Sequence, residues 1–129
     1  MAAELAILTP LFIVFLVFVV ALGRLASARI GVDGAAAQAA RAASLADDPT
    51  TATATATQTA TAALGSAHTT CTHLDVVVDT SDFQAGGSVA VTLTCSVSLS
   101  GAAGLGLAMT ETVSDRAVSP IDRYRAVTA

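Results

Sequence analysis

Two histidines and a cysteine stand close together at His68, Cys71 and His73, and three carboxylates follow at Asp75, Asp79 and Asp82. Imidazole and thiolate are zinc donors, but no standard zinc site uses the order H-x2-C-x-H, and the stretch has no obvious fourth ligand. The aspartates lack the spacing and the closing glutamate of an EF-hand calcium loop. The histidines are therefore expected as solvated loop residues and the aspartates as solvated strand-edge carboxylates, with no metal and no cofactor. No His/Ser/Asp set falls on recognisable elements. The glycines of "GAAGLG" (101–106) are unevenly spaced and lack the strand–turn–helix setting of a phosphate loop, so catalysis is not expected either.

The chemistry that remains is redox chemistry at Cys71 and Cys95. If oxidised, the pair closes a loop of about 25 residues, which contributes roughly 3.5 kcal/mol in the chain-entropy treatment. Such a staple is a large share of what a small domain can muster. It also needs an oxidising compartment, which places this part of the chain outside the cytoplasm.

The elements that would hold the two cysteines are strands. "LDVVVDT" (74–80) has a β-branched centre, and "SVAVTLTCSVSL" (88–99) alternates cleanly, with Val89, Val91, Leu93, Cys95, Val97 and Leu99 on one face. "SDFQAGG" between them carries turn residues, and a more polar third strand is expected from Met109 through "MTETVSDRAVSP". This predicts a small antiparallel meander whose apolar face needs a cover.

The cover is sought upstream. Leu5 to Leu22 carries no charge, and as a helix its eighteen residues rise about 27 Å, close to the hydrocarbon thickness of a bilayer. A cleaved signal peptide is the alternative, but its start would be basic and its apolar region shorter. Beyond Gly23, polar residues recur at three- and four-residue spacings, so the helix is expected to continue to about Ala46, with Gly31 and Gly34 as candidate bends. Its alanine-rich outer half is the long element available to cover the sheet. "DDP" (47–49) is a stop, and Pro49 suits the first turn of a new helix. The Thr/Ala repeat of 50–65 has a strand's alternation but a helix former at every second place. It is read as a second, weak helix ending at Gly65, with a Thr-rich glycosylated stalk as the alternative.

The predicted fold is α+β: a membrane-spanning helix over 1–46, a Thr/Ala-rich helix or linker over 47–70, and a small extracytoplasmic β domain over 71–129 packed on the helix's outer half. The chain's net charge is −4, with six scattered arginines and no lysine, which gives no basic stripe for nucleic acid. Topology presents a conflict. Arg24 and Arg29, just after the span, place the C-terminal part in the cytoplasm by the positive-inside rule, whereas the disulfide places it outside. A basic leader that once preceded Met1 would reconcile the two.

Glu4, Pro10 six residues on, and Gly23-Arg24 at the end of the apolar run together resemble the TadE/TadF-like pseudopilins of tight-adherence pilus systems. "AAAQAARAAS" (35–44) resembles that family's alanine-rich helix. The stretch 71–99 and "SPIDRYR" (119–125) look like the secreted domain of its actinobacterial-type members.

The resemblance implies a leader removed by a prepilin peptidase, leaving a glutamate at the fifth mature position; here Glu4 is fourth. It implies that Glu4 sets register by pairing with the free amine of a neighbouring subunit, since a carboxylate at the membrane end of an apolar helix is costly unless paired. Pro10 would free the Ala6 carbonyl and loosen the helix for the passage from bilayer to filament. The plainer readings are a boundary residue for Glu4 and a tolerated kink for Pro10.

The expected function is that of a non-enzymatic minor pseudopilin in a tight-adherence (type IVb) pilus. Its expected partners are the membrane, other pilin subunits through the N-terminal helix, the prepilin peptidase, and the assembly platform with its ATPase. A permanently anchored extracytoplasmic binding domain is the alternative, and a secreted enzyme or inhibitor beginning near Ala28 a more distant one.

Overall fold

The computed structural model of the chain describes residues 2–98 and 110–124. Residues 99–109, which include Leu99, the "GAAGLG" stretch expected as a loop and Met109, lie outside the described residues, as does Arg125 of the terminal motif.

The first helix, α1 (Ala2–Ser44), is continuous. It ends two residues before the expected Ala46, where Leu45 and Ala46 turn back onto Ala42 and Ala43. Gly31 and Gly34 do not interrupt it. Gly31 is instead a place of close approach, because a β-carbon there would run into the hydroxyl of Thr69, whereas Gly34 faces open space.

The second helix, α2 (Pro49–Ser66), forms where the Thr/Ala repeat left two periods in competition. Asp48 caps it by accepting from the Thr51 amide at 2.8 Å, and Pro49 occupies its first turn. The alternation places Ala52, Ala56, Ala60 and Leu64 four apart, and these four residues are the buried stripe. Outward, the hydroxyls of Thr53, Thr57 and Thr61 each donate to the carbonyl four residues back. The helix does not end at Gly65. His68, with φ of 53°, takes the left-handed position, while the Thr69 amide bonds to the Leu64 carbonyl and the His68 amide to that of Gly65. This is a Schellman closure in which histidine stands where glycine is usual.

Three strands follow: β1 (His73–Asp79), β2 (Ser88–Ser98) and β3 (Thr110–Pro120). They form the expected antiparallel meander in the order β1-β2-β3. The register sets Val76 against Leu93 and Val78 against Val91, and on the other side Cys95 against Val113. The turn between β1 and β2 depends on two glycines. Gly86 has φ of 80°, and a side chain at Gly87 would meet the Asp82 carbonyl.

Both helices lie on one face of this sheet, α1 against β2 and β3 and α2 against β1. The cover is thus shared by α2 rather than supplied by α1 alone. The buried cluster joins Val32, Ala36, Ala39 and Ala43 of α1 to the α2 stripe and to Val89, Val91, Leu93 and Cys95, with Phe83 and Ile121 closing the far end. Half of this cluster is alanine, so the helices approach closely but each buried side chain removes little apolar area from water.

Candidate functional site

Burial changes sharply along α1. From Ala28 to Ser44 one side is packed into the domain, yet Phe12, Phe15 and Phe18 are 61%, 60% and 60% exposed. Leu25, half-buried against the core, marks the transition. The exposed segment is long and apolar enough to cross a membrane. In water it would be a large unpartnered apolar surface, which a soluble monomer does not carry.

Glu4 and Pro10 lie on this exposed part. Glu4 is in the first turn of α1, where the helix dipole favours a carboxylate. Pro10 is inside the helix, lacking the N–H that would otherwise reach back to Ala6, while the neighbouring Thr9 hydroxyl donates to the Leu5 carbonyl at 2.7 Å. An open apolar groove lined by Leu8, Leu11, Phe12 and Phe15 runs beside this point.

Cys71 and Cys95 form a disulfide, with Cα atoms 5.4 Å apart. It ties the segment leaving α2 to the inward face of β2, and Cys95 is fully buried. The neighbouring histidines do not join it in a metal site: His68 closes α2 and His73 opens β1, and no cluster of metal-ligating side chains occurs among the described residues. Of the three aspartates, Asp79 accepts from the Ser81 amide at 3.0 Å and lies 3.8 Å from Arg116, while Asp82 accepts from the Gln84 amide group at 2.8 Å. The Ser81 bonds, helped by Arg116, hold the Asp79 carboxyl below its ordinary range.

One pairing had no signal in the sequence. Asp33 of α1 and Asp115 of β3 meet beside Arg29 in a shallow hollow at the helix–sheet seam. A hydrogen bond with the Asp33 side chain, then desolvation and the like charge of Asp33, push the Asp115 carboxyl above its ordinary value. Its spacing on α1 and alternation on β3 turn both residues toward the seam, but only the tertiary fold makes them neighbours.

No curated protein and no solved structure matches the chain. A family model described as TadE-like protein does match, over residues 1–41. The matched segment is the exposed apolar half of α1 together with most of its buried half, so the N-terminal helix of this chain is similar to that of TadE-like proteins.

Proposed function

We propose that the chain is a TadE-like minor pseudopilin, held in the membrane by Leu5 to Leu22 and incorporated at the base, tip or priming complex of a tight-adherence (type IVb) pilus. The observation that carries this reading is the unbroken course of α1 from an exposed apolar half into a buried alanine-rich half. A helix built in this way transmits any axial movement of its apolar half to the domain, because there is no joint between them. Extraction from lipid into a bundle of like helices would exchange one apolar environment for another while moving the domain as a unit.

In this reading the chain has three parts, the membrane-spanning helix of 1–46, the Thr/Ala-rich helix of 47–70 and the disulfide-stapled β domain of 71–129, and the last of these is extracytoplasmic. Glu4 sets register against the amine of a neighbouring subunit, and Pro10 loosens the membrane helix. The prepilin peptidase and the assembly platform with its ATPase are the partners, and no enzymatic activity is assigned to the chain.

The test is mass spectrometry of the native N-terminal peptide from sheared surface filaments and, separately, from washed membranes. A processed terminus close to Glu4 in the filament fraction is expected. An unprocessed chain confined to membranes would instead support the permanently anchored binding domain.

A further inference from the structure

A second hollow, of about 260 Å³, lies where the domain meets the end of the apolar segment. It is lined by Arg24 and Ser27 of α1, by His68, Thr69 and Thr70 of the turn after α2, and by Ser98 at the end of β2. Its height is set by the fold. Arg24 is the first charge after Leu22 and lies about 3 Å further along the axis, within the zone that headgroups occupy outside the hydrocarbon core. Because α2 returns antiparallel to α1, its closing turn comes back to the same level, and the close approach of Thr69 to Gly31 pins it there.

We propose that this hollow seats the phosphate of an anionic phospholipid; the inference rests on the reading that Leu5 to Leu22 spans the membrane. Arg24 supplies the fixed charge and a forked set of donors. His68 supplies a ring N–H in either protonation state, and the hydroxyls of Ser27, Thr69 and Thr70 supply further donors. Among the described residues no carboxylate lines the hollow, so the ammonium of a zwitterionic headgroup would meet Arg24 without a compensating partner. Selectivity for anionic over zwitterionic lipid follows. The left-handed backbone at His68 fits the same use, since glycine would close the helix with less strain but would remove the imidazole.

The test uses the full chain in micelles containing equal parts phosphatidylglycerol and phosphatidylcholine, with retained lipid counted by native mass spectrometry. Parent protein is expected to retain phosphatidylglycerol preferentially, and Arg24→Gln to lower that preference about fivefold, the worth of one interfacial cation. Arg29→Gln, which removes an equal charge about 7.5 Å further along the helix and outside this hollow, should leave the preference unchanged. Equal losses in the two variants, or none in Arg24→Gln, would overturn the inference, as would displacement of the lipid by millimolar inorganic phosphate. Flotation of the parent with phosphatidylcholine vesicles is measured alongside. Failure to float overturns the membrane reading itself, whereas flotation without selectivity overturns only the lipid seat.

Discussion

Reducing the Cys71–Cys95 disulfide should cost this domain a large part of its stability. The bond closes a sequence separation of 24, for which loop-closure entropy gives about 3.5 kcal/mol. That figure is large here because of what the core is made of. Half of the buried cluster is alanine, and each alanine contributes one methyl, whereas the large side chains are confined to Val32, Leu64, Phe83, Ile121 and the inward faces of the strands. The bond also bears on a weak connection, since α2 and β1 make far less contact than α1 makes with either α2 or the sheet. The appropriate assay is pulse proteolysis of the full chain in detergent across a urea series, comparing oxidised protein with protein reduced while unfolded and then refolded. For a slope near 1.5 kcal/mol per molar urea, the midpoint should fall by roughly 2 M. The reduced protein keeps both sulfur atoms, so a shift reports the crosslink rather than a packing defect. Coincident oxidised and reduced curves would refute the argument and show that the alanine-packed helices hold the sheet unaided.

Two glycines in one helix should respond oppositely to the same change. Gly34→Ala gains helix propensity in open space and should stabilise the domain by up to about 1 kcal/mol, while Gly31→Ala drives a methyl into Thr69 and should destabilise it by about 1–3 kcal/mol; urea midpoints decide both. Asp33→Asn should raise stability at neutral pH. The raised folded-state value of Asp115 means that the pair's contribution is full below 3.8 and is lost as pH rises through that raised value, so the gain should vanish in acid. Glu4→Ala should leave membrane insertion intact and impair pilus assembly. Normal surface filaments in that variant would return Glu4 to a boundary residue.

The parts of this fold that were legible from sequence are those whose signal is local and whose period is unambiguous. The alternation from Val89 to Val97 could only be a strand with one buried face, and the charge-free run from Leu5 to Leu22 has few fates other than lipid or a helix bundle. The Thr/Ala repeat was harder because alternate residues are also residues four apart. Ala52, Ala56, Ala60 and Leu64 satisfy a helix and a strand equally, and packing against the alanines of α1 decides between them. Gly31 and Gly34 looked alike in sequence, each a cost to the helix. Only the return of the chain at Thr69 distinguishes a required glycine from a tolerated one. His68 at the closing position of α2 was obscured by Gly65, a better candidate on local grounds. The meeting of Asp33 with Asp115 had no local signal at all, because it depends on how β3 lies across α1.

The alanine-rich character of the outer half of α1 connects these observations. On the proposed pseudopilin reading, a helix that enters a crowded bundle through its first half gains from a slender second half, and Ala35, Ala36, Ala39, Ala40 and Ala43 allow α2 and the sheet to pack close to its axis. Slenderness leaves the core poor in apolar area, and the disulfide offsets that deficit without adding bulk. It also brings a dependence on where the chain resides, since in a reducing compartment the same domain would rest on its alanines alone. On the proposed reading, the small helix-facing residues, the single bridge and an oxidising location are one design. Replacing Ala39 and Ala56 with larger residues to enrich the core would act against it, by separating the layers that the bridge holds together.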